Sequence, residues 1–278
     1  MKLSIITINY NNAAGLQKTM ESVIAQSSQD FEYIVVDGGS TDGSKELICQ
    51  YANMPILTIK WISEKDNGIY HAMNKGILMA KGEYVQFLNS GDMLAAEDVA
   101  ERMLGQLSML NLPSIMYGNM LKQLPKRILR DRCFAGRMPT MIDFYTGTLN
   151  HSSAYIKRLL FDEFGFYDES FKIVSDWKWY MQVILFGNHK PIYADIDVTI
   201  FDMNGISSVN SKLDKSERRE VLEKILPLSI ISDYDKNTAG VFQLKRINRY
   251  WFTSKGFWLV ERILFKFEKW FRNKEQIM

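Results

Sequence analysis

The side chains of this 278-residue chain best suited to chemistry are four carboxylates set among glycines, hydroxyls and aromatics. Asp37 stands in VVDGGSTDGS, Asp66 in SEKDNGIYHAMNKG, Asp92 at the close of FLNSGD, and Asp176 in VSDWKWYM. A carboxylate in a tight glycine turn suits Mg2+ or Mn2+, because these hard cations prefer oxygen ligands and a diphosphate can complete the shell. Such an ion neutralises charge on a departing nucleoside diphosphate. A carboxylate at a strand end beside glycines can accept hydrogen bonds from a base or ribose. Each residue also has a plainer reading. Asp37 and Asp66 could be ordinary turn residues, Asp92 a turn residue or helix cap, and Asp176 an N-cap.

The elements that must position these groups follow from periodicity. Short apolar runs over residues 3–8, 31–36, 56–61 and 83–88 predict buried strands. Asn11 or Asn12 can cap a helix reaching about Ser27, with Leu16, Met20, Val23 and Ile24 on one face. Asp42 can cap a second helix. Ile69, Met73, Ile77 and Ala80 mark a third, which stops at Lys81-Gly82. Strands alternating with helices imply an α/β fold with a mostly parallel sheet, whose ligands sit at the carboxyl ends of the strands. Asp37, Asp66 and Asp92 all fall at or just after such ends. Beyond residue 112 the pattern loosens. It predicts a strand at 114–118, a loop-rich basic stretch over 122–150, helices at 157–164 and 175–186, and strands within 191–201. Further helices are expected over 214–231 and 241–272.

Taken in order, SIITINYN, VVDGGSTDGS, SEKDNGIYHAMNKGILMAKGEY, FLNSGD and SDWKWYM resemble the inverting family 2 glycosyltransferases of the GT-A fold, over roughly residues 1–205. The flavour is that of the branch that builds bacterial surface polysaccharides such as capsule and lipopolysaccharide. The resemblance implies a Rossmann-like, mostly parallel sheet flanked by helices (residues 1–210), with a C-terminal helical extension (211–278). It implies that Thr7, Tyr10, Asp37, Asp66, Asn74 and Ser90 border the nucleotide-sugar, and that Asp92 matches the last acid of the family's metal motif, binding Mn2+ or Mg2+. Asp176 matches the catalytic base that deprotonates the acceptor hydroxyl, and His151 of NHSSAY falls on the acceptor side of the cleft. The implied partners are a nucleotide-sugar donor, UDP-linked by family habit, and a glycan or polyprenyl-linked acceptor. Asn89 stands where the first acid of the metal motif would be, and Ser175 where a second acid of the base motif would be. FDMNGISSVN (201–210) resembles a segment that lies over the diphosphate, with Gly205 as a hinge.

Composition narrows the class. The chain is 46% hydrophobic with 16 Phe, 13 Tyr and 6 Trp, enough for a sizeable core and too apolar for disorder. Residues 1–240 carry 25 Lys and Arg against 29 Asp and Glu, whereas residues 241–278 carry 9 against 3. A slightly acidic body argues against nucleic acid as a partner. Over 257–272, Val260, Ile263, Leu264, Phe267, Trp270 and Phe271 share one helical face, and Arg262, Lys266, Lys269 and Arg272 stand elsewhere. Such a helix is too short and too charged to span a bilayer, yet it could lie in a membrane interface, meet a second copy of the chain, or pack on its own domain. Two distant cysteines, no leader-like start and no apolar run of ~18 residues lead us to expect a cytoplasmic protein, peripheral at most to the inner face of the membrane. Other enzyme classes fit less well. The turn after the first strand, Tyr10-Asn11-Asn12-Ala13-Ala14-Gly15, lacks the G-x-G-x-x-G of dinucleotide enzymes, and no G-K-[ST] is present. A nucleotidyltransferase of similar fold and a non-catalytic nucleotide-binding member stay open as alternatives.

Overall fold

The computed structural model describes residues 2–55, 57–124, 127–203, 210–248 and 262. The chain divides into two compact units, Met1–Val221 and Leu222–Met278. The first unit opens with three βα repeats and a fourth strand. Strands β1 (Leu3–Asn9), β2 (Phe31–Asp37), β3 (Ile59–Ser63) and β4 (Tyr84–Phe87) alternate with helices α1 (Ala13–Ile24), α2 (Ser44–Ala52) and α3 (Ile69–Met79). Then follow β5 (Met93–Leu94), α4 (Val99–Met109), β6 (Ile115–Leu124), β7 (Arg127–Asp131), α5 (Met141–Thr146), β8 (Ala154–Lys157), α6 (Leu159–Phe164), α7 (Ser175–Met181) and β9 (Ile192–Phe201). Among the described residues these strands form one sheet in the order β3-β2-β1-β4-β8-β6-β9-β5, with β7 hydrogen-bonded to β6. β1 to β4 run parallel, β8 is antiparallel to both its neighbours, and β9 is parallel to β6. This is the GT-A-like α/β architecture flanked by helices that the sequence predicts, with antiparallel pairs β4–β8, β6–β8, β6–β7 and β5–β9 joining the expected parallel ones.

The pleat sends successive side chains to opposite faces of the sheet. Leu3, Ile5, Tyr33 and Val35 join Leu16, Met20 and Val23 of α1 and Val99, Met103 and Leu107 of α4 in one core. On the other face α3 packs on β1 and β2. The contact is close. A Cβ on Gly76 would stand 2.4 Å from Cγ2 of Ile6. Gly76→Ala is therefore expected to cost about 1–3 kcal/mol despite the better helix propensity of alanine. Chemical denaturation checks this, and a variant as stable as the parent would refute the close packing.

Local signals placed most of the helix starts. Asn12 Oδ1 accepts from the backbone N–H of Gly15, capping α1, and Asp42 Oδ1 accepts from Ser44 N at the start of α2. Four expectations need correction. The third strand lies at Ile59–Ser63, not 56–61, because its register on β2 pairs Tyr33 with Ile59 and Asp37 with Ser63. The stretch expected to be loop contains the β6–β7 hairpin, in which Leu121 faces Arg130. Charges in β7 hid a strand whose residues are mostly exposed. Residues 154–157 are strand before α6 begins. The helix expected over 214–231 is two helices, Ser211–Ile225 and Leu228–Asn248, since Pro227 cannot supply the N–H that would join them. The amphipathic face predicted over 257–272 and the hinge at Gly205 lie outside the described residues. Among the described residues no helix is long and apolar enough to cross a membrane.

Candidate active site at the carboxyl ends of the strands

β1, β2 and β3 end side by side. Asn9 is the register partner of Asp37, and Asp37 that of Ser63. Asp37 is fully buried. Its Oδ1 accepts from Asn9 Nδ2 (2.8 Å) and Ser40 Oγ (2.5 Å), and its Oδ2 from Ser63 Oγ (2.7 Å) and Ser40 N (3.0 Å). Burial by itself would raise its pKa. The hydrogen bonds from Ser40, Ser63 and Asn9 outweigh that and hold the carboxyl below its ordinary value. An anion fixed by four donors thus organises the mouth of the sheet. Beside it Asp66 and Tyr10 close in on Gly38, where a Cβ would lie 2.5 Å from Asp66 Oδ2 and 3.1 Å from the ring of Tyr10. Tyr10 is 66% exposed, and Asp66 Oδ1 accepts from Gly68 N. A flat aromatic face and a carboxylate are the groups that recognise a planar, hydrogen-bonding ligand.

The turn 89–92 follows β4. Gly91 adopts φ +108°, a conformation open to glycine, and a Cβ there would meet Asp202 Oδ2 at 2.5 Å. α1 pins the turn. Thr19 Oγ1 accepts from Gly91 N (2.9 Å) and donates to Asp92 O (2.7 Å), while Asn12 Nδ2 donates to Ser90 O (3.1 Å). Asp92 is buried, and its Oδ1 accepts from the backbone N–H of Asp202 (2.8 Å). Burial pushes its pKa up to about 7, and the Asp202 carboxylate adds to that push. Asn89 Oδ1 is buried with no hydrogen-bond partner among the described residues. A buried carboxylate short of positive charge, a second carboxylate beside it and an orphaned amide oxygen are donors that suit a hard divalent cation. Among the described residues, no group of three or more His, Cys, Asp or Glu side chains is arranged to hold a metal by itself.

Asp176 lies in the first turn of α7, almost wholly buried. The approach to that helix is fixed by Glu217, whose carboxylate accepts from the backbone N–H groups of Lys172, Ile173 and Val174. Asp176 Oδ2 lies 3.1 Å from His151 Nδ1, and Tyr70 Oη 2.9 Å from Asp176 Oδ1. Burial opposes the charge on Asp176. The hydrogen bond and charge of His151, with the bond from Tyr70, outweigh burial and keep the pKa below its ordinary value. Burial likewise opposes a charge on His151, but Asp176 and the more distant Asp92 draw its pKa upward. Nε2 of His151 is 3.3 Å from Asn89 Nδ2. The imidazole therefore bridges the 89–92 turn and Asp176, which are far apart in sequence.

Tyr10, Asp66, Ser90, Asp92, His151 and Asp176 thus lie around the carboxyl end of the sheet. Thr7 and Asn74 have inward partners. Thr7 Oγ1 donates to Leu88 O (2.7 Å), and Asn74 clasps the backbone of Tyr167 through both ends of its amide. Sequence reasoning missed Asp202, Tyr70 and Thr19. FDMNG and DNGIY stand out as segments, but nothing local shows that their acid and phenol turn toward Asp92 and Asp176.

The profile of glycosyl transferase family 2 matches residues 4–142. An uncharacterized glycosyltransferase of Mycobacterium tuberculosis is 31% identical over 74% of this chain and 77% of its own length. A PGL/p-HBAD biosynthesis glycosyltransferase of Mycobacterium bovis is 28% identical over 81% of this chain and 84% of its own. Among solved structures, S. aureus TarS 1–349 in complex with UDP superposes with a TM-score of 0.61 at 20% identity, over 72% of this chain and 60% of that one. The mannosyltransferase PcManGT from Pyrobaculum calidifontis, in complex with GDP-Man and Mn2+, gives 0.57 at 19% identity over 74% and 58%.

Proposed function

Because the chain belongs to glycosyltransferase family 2, we propose that it transfers a sugar, with inversion, from a nucleoside-diphosphate donor to a glycan or lipid-linked acceptor in the making of a surface glycan. The observation that carries this reading is the meeting, at one end of the sheet, of a buried ionised Asp176 with a buried Asp92 that is short of a counter-charge. One group suits proton removal, the other a cation-bound diphosphate.

The residues divide the work. Tyr10 stacks against the base and Asp66 accepts hydrogen bonds from it. Gly38 leaves them space, Asp37 holds the strand ends that form the floor, and Ser90 lines the path to the diphosphate. Thr7 and Asn74 support these positions from within. Asp92, with Asp202 beside it, would hold Mn2+ or Mg2+ through oxygen, and such an ion would supply positive charge to the leaving diphosphate. Asp176 takes the proton from the acceptor hydroxyl as its oxygen attacks the anomeric carbon. His151 holds Asp176 on the acceptor side. A single displacement inverts the anomeric centre. A UDP-linked hexose or N-acetylhexosamine is the donor we favour, because the TarS structure holds UDP and uridine nucleotides are the family habit. The basic, aromatic sequence of the C-terminal segment supports a place for the enzyme at the inner face of a membrane, near a polyprenyl-linked acceptor.

The test is calorimetry with UDP, GDP, dTDP and CMP, with and without Mn2+. We expect one nucleotide to bind with clear preference and more tightly with Mn2+. In Gly38→Ala the added Cβ meets Asp66 and Tyr10. That variant should bind the preferred nucleotide at least about tenfold more weakly, a loss of ~1.4 kcal/mol. If a folded sample binds none of the four, the donor site assigned here is wrong.

A further inference from the structure

We propose that Tyr70 is a positioning residue that serves the carboxyl group of Asp176 on both sides of proton transfer. The inference rests on the transferase reading above and names a group that acts through its base. The Tyr70 hydroxyl lies 2.9 Å from Asp176 Oδ1 and 2.5 Å from the carbonyl oxygen of Ile173. A phenol has one proton to donate, and here it meets two acceptors. While Asp176 is ionised, the proton is drawn to the charged Oδ1. Once Oδ1 carries a proton, that O–H donates to the Tyr70 oxygen, and Tyr70 turns its own proton to Ile173 O. Both states are satisfied with no heavy atom moving, so the transfer demands little reorganisation.

The surroundings support this. Tyr70 is only 4% exposed, so water is poorly placed to replace it. The Ile173 carbonyl is steady because Glu217 grips the N–H groups of residues 172–174. The titratable groups facing Asp176 are His151 from the turn before β8, Tyr70 from α3, Tyr167 from the loop after α6, and Tyr180 from its own helix. Tyr167 and Tyr180 have hydroxyls without a hydrogen-bond partner among the described residues, which leaves Tyr70 as the phenol bonded to Asp176. Burial and the Asp176 charge push the Tyr70 phenol well above its ordinary pKa, so it keeps its proton. In the reaction the acceptor O–H bond breaks and its proton goes to Asp176. The freed electron pair forms the bond to the anomeric carbon. The bond from that carbon to the diphosphate oxygen breaks, and its pair leaves with the nucleoside diphosphate.

Tyr70→Phe tests this, since the ring that packs against Tyr167 is retained. The Asp176 carboxyl would be followed by 13C NMR across pH in protein labelled at aspartate, with Asp176→Asn identifying the signal. A hydrogen bond to a charged group is roughly twice as strong as one to a neutral group, so the ionised state loses more. The midpoint should rise by about one pH unit in Tyr70→Phe. It should fall when 3-fluorotyrosine, a stronger donor of the same shape, replaces Tyr70. In the transfer assay kcat should drop about tenfold with little change in KM for the donor, and Tyr70→Phe should add nothing to Asp176→Asn. An unmoved midpoint in both replacements overturns the proposal, as does an equal loss of rate in the presence and absence of the Asp176 carboxylate. The titration reads the Tyr70–Asp176 pair even if wild type transfers no sugar, an outcome that would sink the transferase reading alone.

Discussion

Asp176→Asn should lower kcat by roughly 10²- to 10⁴-fold, the usual contribution of a general base, with nucleotide affinity nearly unchanged. The substitution keeps the shape of the side chain and removes its ability to take a proton. Its amide oxygen can still accept from Tyr70. Its NH2 would face His151 Nδ1, so the imidazole must move its proton to Nε2, where the orphaned Asn89 oxygen is a ready acceptor if that amide turns. The fold should therefore survive. The pH dependence has a definite sign. Asp176 has a depressed pKa in the folded protein, so activity and this group's stabilising effect are present above the ordinary carboxylate range and are lost as pH falls through the lowered value. Turnover with a matching nucleotide sugar, beside calorimetry on the same sample, makes the check. A rate within twofold of wild type would remove Asp176 from the chemistry.

Asp92→Asn should act in two opposite directions. Burial raises this carboxyl from 3.8 to about 7. Between those values the folded chain holds a proton that the unfolded chain has released. Without a cation, the stabilising contribution is complete below about pH 3.8 and is lost as pH rises through about 7. At about 1.4 kcal/mol per pH unit, the upper bound on this loss is about 4 kcal/mol. Asparagine carries no charge to bury. The metal-free variant should therefore melt higher than wild type at pH 8, and the gap should narrow as pH falls and close only near the ordinary carboxylate value of 3.8. Mn2+ should raise the melting temperature of wild type at pH 8 and leave the variant where it was. The variant should also lose at least about tenfold in Mn2+-dependent nucleotide affinity, by analogy with the loss on disturbing a metal's ligand sphere. Parallel melting curves for the two proteins at every pH would show that Asp92 is not the buried, cation-seeking group described here.

The two substitutions separate the halves of the site. On the proposed reading Asp92 acts through the donor and should be read in binding, and Asp176 acts on the acceptor and should be read in turnover. His151 touches both halves, which makes it the natural place to look for coupling between them.

What the sequence determined by itself was the frame and the acids. β1, β2 and β4 announce themselves as short apolar runs, and α1 and α2 through Asn12 and Asp42, because strand burial and helix capping depend on neighbours a few residues away. The acids at strand ends follow, since a parallel sheet places its carboxyl ends together. The charged β7 strand and the β3 boundary were not legible, because pairing with β6 and β2 decides them. Only the tertiary structure decided how the acids are set. Tyr70 meets Asp176 across 106 residues, the Asp202 N–H meets Asp92 across 110, and Glu217 fixes residues 172–174 from 43–45 residues away. Local pattern carries no record of such pairs. Yet they decide which carboxylate is buried against four donors, which is short of positive charge and which stays ionised, because pKa depends on the sum of burial and partners that folding brings together.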